Sequence, residues 1–164
     1  MKFVQADLCA FLEILENLEE KKSASWGKMT PQKMIEHLSD CIYMSCGIGN
    51  HELLIPEEKI KGMQEFLYSE KEMPQNIQVP FAKENTPLRN TDIELAVDEF
   101  TMAWVDFEEM YSKDPKKTAL HPYYGNLNDE QCVLLHSKHF THHFSQFGLM
   151  LSILYSYRLL LASF

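Results

Sequence analysis

Four of the seven histidines in this chain fall within one short stretch, LLHSKHFTHHFSQFGLM at 134–150. If the stretch is helical, at 100° per residue His139 and His143 lie one turn apart on the same face. Their Cβ atoms would then be about 5–6 Å apart, so both imidazoles could bind one divalent cation, as paired histidines do in helical zinc motifs. A usable catalytic site also needs a third protein ligand and an open position for water or substrate.

His37 is the best candidate for the third ligand. It lies in the middle of a predicted helix, TPQKMIEHLSDCIYM, where apolar neighbours indicate that it faces inward. His51 and His121 lie in predicted loops and are weaker alternatives. Cys41 is one turn beyond His37, and Cys132 is two turns before the histidine pair. Both are interpreted as small core residues rather than ligands.

The helix face that carries His139 and His143 holds further polar residues, which are candidates for lining a pocket: His136, His142 and Gln146. Such a row is also compatible with a solvated polar face that binds no metal. Phe140, Phe144 and Phe147 surround it, however, and this favours a buried or half-buried strip. Buried imidazoles need polar partners, and a metal ion is one such partner.

The composition limits the classes of partner. The formal net charge is -9 and no basic cluster stands out, so nucleic acid and anionic membranes are not expected partners. The four cysteines form no CxxC pair and the first residues lack a signal peptide, which favours free thiols in the cytoplasm. The apolar tail at 149–164 contains Arg158, so we interpret it as a buried helix end or a partner contact rather than a membrane span.

Apolar spacing and end signals predict helices in most of the chain. The predicted helices cover residues 4–20, 31–46, a shorter one from 57, 91–113, and a last one that starts at 128 and passes through the histidines. Thr30 before Pro31 is a typical helix start. Thr91 with Glu94, and Asn128 with Gln131, fit capping boxes.

Two segments are predicted to be irregular. Residues 71–90 contain three prolines and read as a long connection, in which QNIQVPF is partly extended, and 114–127 reads as a loop. Within that loop, HPYYG at 121–125 is a turn with aromatic packing, although Tyr123 is also a candidate for a pocket mouth. Trp26 is interpreted as a plug at one end of the fold.

Together, the predicted helices and irregular segments indicate that residues 1–164 form one all-α domain. Its predicted fold is a four-helix bundle with an additional short helix and a long irregular connection.

Two blocks of the sequence resemble a known superfamily. WGKMTPQKMIEHLSD at 26–40 and HPYYGNLNDEQCVLLHSKHFTHHFSQFG at 121–148 resemble the DinB/YfiT-like metal-binding four-helix bundles. More narrowly, they are similar to a bacterial family of unknown function within that superfamily, through the motifs WGKM…H and HPxxG…KHxxHHxxQFG. The resemblance implies a metal triad of one histidine from the second helix and an HxxxH pair from the last, which correspond to His37, His139 and His143. It also implies a dimer.

The ligand set implied by this resemblance suggests two kinds of chemistry. Three neutral imidazoles would lower the pKa of a bound water toward neutrality, or would let a thiolate bind zinc or nickel. Members with known activity resemble transferases and isomerases that use low-molecular-weight thiols, and others are described as metal-dependent hydrolases. The expected function is thus a metal-dependent enzyme acting on a small molecule. The alternatives are a metal-stabilised bundle or dimer that acts by protein contact, and a helical bundle without metal.

Overall fold

The computed structural model describes residues 2–77, 79 and 86–150. The elements in chain order are α1 (Leu8–Leu15), α2 (Pro31–Ser45), α3 (Glu57–Leu67), α4 (Ile93–Lys113), β1 (Ala119–His121), β2 (Gly125–Leu127) and α5 (Asp129–Gln146). The prediction of a mainly helical chain is confirmed. In the described ranges, no helix is both long and apolar enough to cross a membrane.

The helices that carry the histidines begin where the sequence predicts. The Thr30 hydroxyl accepts a hydrogen bond from the Lys33 N–H at 3.2 Å, and Pro31 occupies the first helical position of α2. The predicted capping box of α5 is also present, because Asn128 and Gln131 each bond the other's backbone N–H. The local signals thus fix the first residues of both helices.

Two other helix starts differ from the prediction. The expected cap at Thr91 is wrong, because Asp92 accepts from the Leu95 N–H and α4 begins one residue later. The first helix is shorter than the predicted 4–20, and its cap is Asp7. Val4 is instead tied to α5, since its N–H donates to the Thr141 hydroxyl at 2.7 Å. This long-range bond cannot be read from local spacing.

Aromatic side chains form the centre of the fold. The Phe11 ring lies 4.9 Å from the rings of both Trp104 and Phe140, in edge-to-face contacts. Phe100 and Phe144 complete this cluster and are fully buried. Around it, α2 packs against both α4 and α5. This packing brings the histidine faces of α2 and α5 together.

The segment predicted as the loop 114–127 contains a small antiparallel sheet instead. β1 pairs with β2, with Ala119 opposite Leu127 and His121 opposite Gly125. The tight turn needs Gly125, whose φ is +69° and where a Cβ would lie 3.0 Å from the Ile60 side chain. The HPYYG motif is therefore a turn with aromatic packing, as predicted. The tail 151–164 and part of QNIQVPF lie outside the described residues.

Lys138, next to the histidine pair in sequence, is only 2% exposed. Its Nζ donates to the Lys71 carbonyl at 2.8 Å and to the Ser69 carbonyl, just beyond the end of α3. The ammonium also lies 4.0 Å from the centre of the Phe3 ring. Lys138 therefore holds the N-terminal segment and the residues after α3 against α5.

Candidate metal centre

Three imidazoles from two helices meet beside the core. The Nε2 atom of His139 lies 3.1 Å from Nε2 of His37 and 3.0 Å from Nε2 of His143. The His37 and His143 rings are 4.9 Å apart between centroids. The predicted triad is thus assembled across the contact between α2 and α5.

Gln146 sets the orientation and tautomer of His143. Its amide Nε2 donates to the Trp26 carbonyl at 2.7 Å, which turns the amide oxygen toward Nδ1 of His143 at 2.8 Å. Because that oxygen only accepts, the proton of His143 must be on Nδ1. The lone pair of Nε2 therefore points toward the other two imidazoles, as the ligand position of a metal-bound histidine does.

Hydrogen bonds alone do not satisfy the three nitrogens. A neutral ring nitrogen carries either one hydrogen or one lone pair, so Nε2 of His139 can form one good bond but has two nitrogen neighbours. Two nitrogens that bind one tetrahedral zinc ion are about 3.3 Å apart, close to the separations seen here. The donor set and its convergence fit a divalent cation.

Burial keeps these imidazoles neutral. It lowers the pKa of His37 to about 4, with the charge of Lys33 and the neighbouring His142 adding to the effect. Burial also lowers the pKa of His139 and His143 well below the ordinary value, with mutual repulsion as a further cause. The neutral imidazole is the form that binds a metal.

Cys41 lies beside the three imidazoles and forms the candidate metal cluster with them, which corrects its interpretation as a core residue. Its Sγ lies 4.0 Å from Nε2 of His37, and the ligand atoms of His37, Cys41 and His139 all lie within 4.8 Å of one another. Burial raises the pKa of the thiol to about 12, so without a cation it stays protonated. The one-turn spacing from His37 was the available sequence signal. Cys132, in contrast, is buried beside Tyr111, as predicted.

The remaining candidates occupy other places. His136 is fully buried between Trp104 and Phe107, with ring centroids 5.6 and 5.4 Å away, and so lies in the core. His142 packs against the Trp26 ring at 5.8 Å. Tyr123 is half-buried in the turn between the strands. A pocket of about 490 Å³ lies beside His37 and Cys41, and neither these three residues nor Gln146 line it, so their prediction as pocket residues is wrong.

The two loop histidines do not replace His37. Nδ1 of His121 accepts from the Tyr123 N–H at 3.1 Å, and burial lowers its pKa to about 4. His51 instead lies 3.1 Å from the Ile48 carbonyl and lines the pocket.

An open pocket of about 490 Å³ adjoins the cluster on the side of His37 and Cys41. Its wall includes Lys28, Lys33 and Leu88. This volume is typical of small-molecule sites, which are commonly about 300–1,000 Å³. A ligand in the pocket would contact the imidazole of His37 and the thiol of Cys41.

A buried carboxylate holds one wall of this pocket, which the sequence did not predict. Glu36 is fully buried, and its Oε1 accepts from the backbone N–H groups of Arg89 and Asn90, each at 3.0 Å. Burial would raise the pKa of Glu36, but these donors outweigh it and lower the pKa. The Arg89 guanidinium also bonds Asp40 at 2.8 Å and Glu99 at 2.7 Å. The segment near Leu88 is thereby fixed against α2.

The family profile of DUF1569, described as a protein of unknown function, matches residues 2–150. This range contains every residue of the cluster and its support, from Trp26 to Gln146. No curated protein and no solved structure gives a significant match to the chain. Since the match covers most of the sequence, the chain belongs to the DUF1569 family, whose function is unknown.

Proposed function

We propose that this protein is a metal-dependent enzyme whose divalent ion, zinc or nickel, is held by His37, His139 and His143. The observation that carries the proposal is the approach of two imidazole Nε2 atoms, at 3.0 and 3.1 Å, to Nε2 of His139. No arrangement of protons on neutral rings gives both contacts a separate two-centre hydrogen bond. The proposal includes a four-helix bundle of the DinB/YfiT type, on the basis of the two sequence motifs.

The bound ion would supply a Lewis acid that activates water or a thiol, for a hydrolytic or thiol-transfer reaction on a small molecule. The protein residues hold and shield it. Gln146 keeps the Nε2 lone pair of His143 available, and the buried surroundings keep all three rings neutral. The pocket beside His37 gives a substrate access to the side of the cluster that carries His37 and Cys41. The absence of charge in the imidazole ligands leaves the positive charge of the ion to act on the substrate.

A structural metal site is the second candidate, and Cys41 is the observation that favours it. If its thiolate completes the coordination, the ion has four protein ligands and no open position. Such a site would stabilise the packing of α2 on α5 without catalysis. The protein would then act through contacts with other proteins, or as a dimer.

Elemental analysis of the purified, tag-free protein tests the proposal. We expect about one zinc or nickel ion per chain, which is lost in the triple variant His37→Ala, His139→Ala, His143→Ala. The matched control is His51→Ala, which removes a pocket histidine outside the triad and should retain the ion. If the unaltered protein binds no metal even after incubation with zinc and nickel, the proposal is wrong.

Cobalt substitution separates the two candidates. With Co²⁺ in the site, a sulfur-to-cobalt charge-transfer band that disappears in Cys41→Ser would show that the thiolate is a ligand. If that band is absent, and an added ligand such as azide changes the visible spectrum, the coordination has an open position. That outcome supports the enzyme, whereas a band in the unaltered protein that Cys41→Ser removes, together with no response to azide, supports the structural site.

A further inference from the structure

Two lysines, Lys28 and Lys33, line the pocket beside the cluster and are called the lysine wall here. Lys33, His37 and Cys41 follow one another at four-residue intervals along α2, so they lie on one face of the helix, and all three line the pocket. Lys28 lines it as well. The Lys33 ammonium is close enough to lower the pKa of His37 further, after the larger effect of burial. A cation thus stands one helical turn from the triad.

The acidic residue in the same wall is paired with an arginine rather than with a lysine. Asp40 forms an ion pair with Arg89, whose guanidinium also bonds Glu99. No carboxylate among the described residues forms a salt bridge with Lys33. Lys33 therefore adds to the pocket a positive charge that no carboxylate of the described residues pairs with, in a chain whose formal net charge is -9. A divalent ion held by neutral imidazoles would add to this positive charge.

We propose that the pocket binds a small organic anion, with its oxyanion group at Lys33 and its reactive group directed toward His37. Only the placement of the reactive group toward His37 rests on the proposed function. The oxyanion site does not, because the lysine wall lines the pocket with or without a metal. Lys33 acts as a point charge, so carboxylates and phosphonates both fit its chemistry. The pocket volume of about 490 Å³ suits a compact molecule rather than a polymer.

The test compares two hydroxamates that differ only in charge, by calorimetry on the zinc-loaded protein. Succinic monohydroxamate carries a carboxylate tail, and succinamic hydroxamate carries a neutral amide in its place. We expect the anionic probe to bind about tenfold more tightly, as is typical of one charge-assisted hydrogen bond. The preference should disappear in Lys33→Gln and remain in Lys33→Arg. The control Lys61→Gln, at an exposed position on α3, should keep it.

Equal affinity for the two hydroxamates in the unaltered zinc-loaded protein would overturn the inference, as would equal affinity of the metal-free protein for succinate and succinamide. A phosphonate analogue of the tail shows which oxyanion binds more tightly. Titration of the metal-free protein with succinate and succinamide, followed by NMR, tests the lysine wall by itself. A preference for succinate that Lys33→Gln removes supports the inference even if elemental analysis finds no metal, so the two proposals can fail separately.

Discussion

His136 should make the protein sensitive to acid, and replacement by Leu should remove part of that sensitivity. Its ring is fully buried among aromatic side chains, and neither ring nitrogen has a hydrogen-bond partner among the described residues. Burial lowers its pKa from 6.5 to about 3. Between these two values the unfolded chain binds a proton that the folded protein does not. The free energy of unfolding therefore decreases as the pH falls through this window.

The size of the effect follows from the two pKa values. Each pH unit below 6.5 and above 3 costs about 1.4 kcal/mol, since the unfolded state is protonated and the folded state is not. Between pH 7.5 and pH 5, His136 should therefore remove about 2 kcal/mol of stability. In His136→Leu this contribution is absent. At pH 7.5 the variant should be as stable as the unaltered protein or more so, because a buried polar group without partners is replaced by an apolar one.

Urea denaturation followed by far-UV circular dichroism measures the difference at both pH values. A chelator is present throughout, so that protonation of the metal-binding histidines affects both proteins equally. Circular dichroism is preferable to tryptophan fluorescence, because the Trp104 ring contacts His136 at 5.6 Å. If the two proteins lose the same stability on acidification, His136 is not held neutral in the folded state, and the reasoning is refuted.

Three further predictions concern the support of the site and the packing of α5. Gln146→Leu removes the hydrogen bond that orients His143 and should weaken metal binding about 10- to 100-fold in a chelator competition; unchanged affinity would contradict this role. Gly27→Ala should weaken it in the same assay, because the new Cβ would lie 2.8 Å from the Gln146 amide at a backbone φ of +72°. Lys138→Met leaves two carbonyls without their charged donor and should lower the free energy of unfolding by about 2 kcal/mol, as measured by urea denaturation. An effect below about 0.5 kcal/mol would mean that solvent replaces the ammonium.

The sequence predicted those parts of the fold that depend on near neighbours. Thr30 with Pro31, and Asn128 with Gln131, specify helix starts through hydrogen bonds that span only a few residues. The turn between the strands was predicted, but its pairing was not, because three-residue strands carry too little alternation to distinguish them from a loop.

Within the candidate site, the sequence alone determined that His139 and His143 share one face of a helix, since their spacing fixes it. Only the tertiary structure decided what meets that face. The packing of α2 on α5 brings His37 to within 3.1 Å of His139 and adds Cys41. The same packing places His136, also on the predicted face, in the aromatic core instead. Helical periodicity gives the direction of a side chain, whereas its surroundings depend on residues that are distant in the chain.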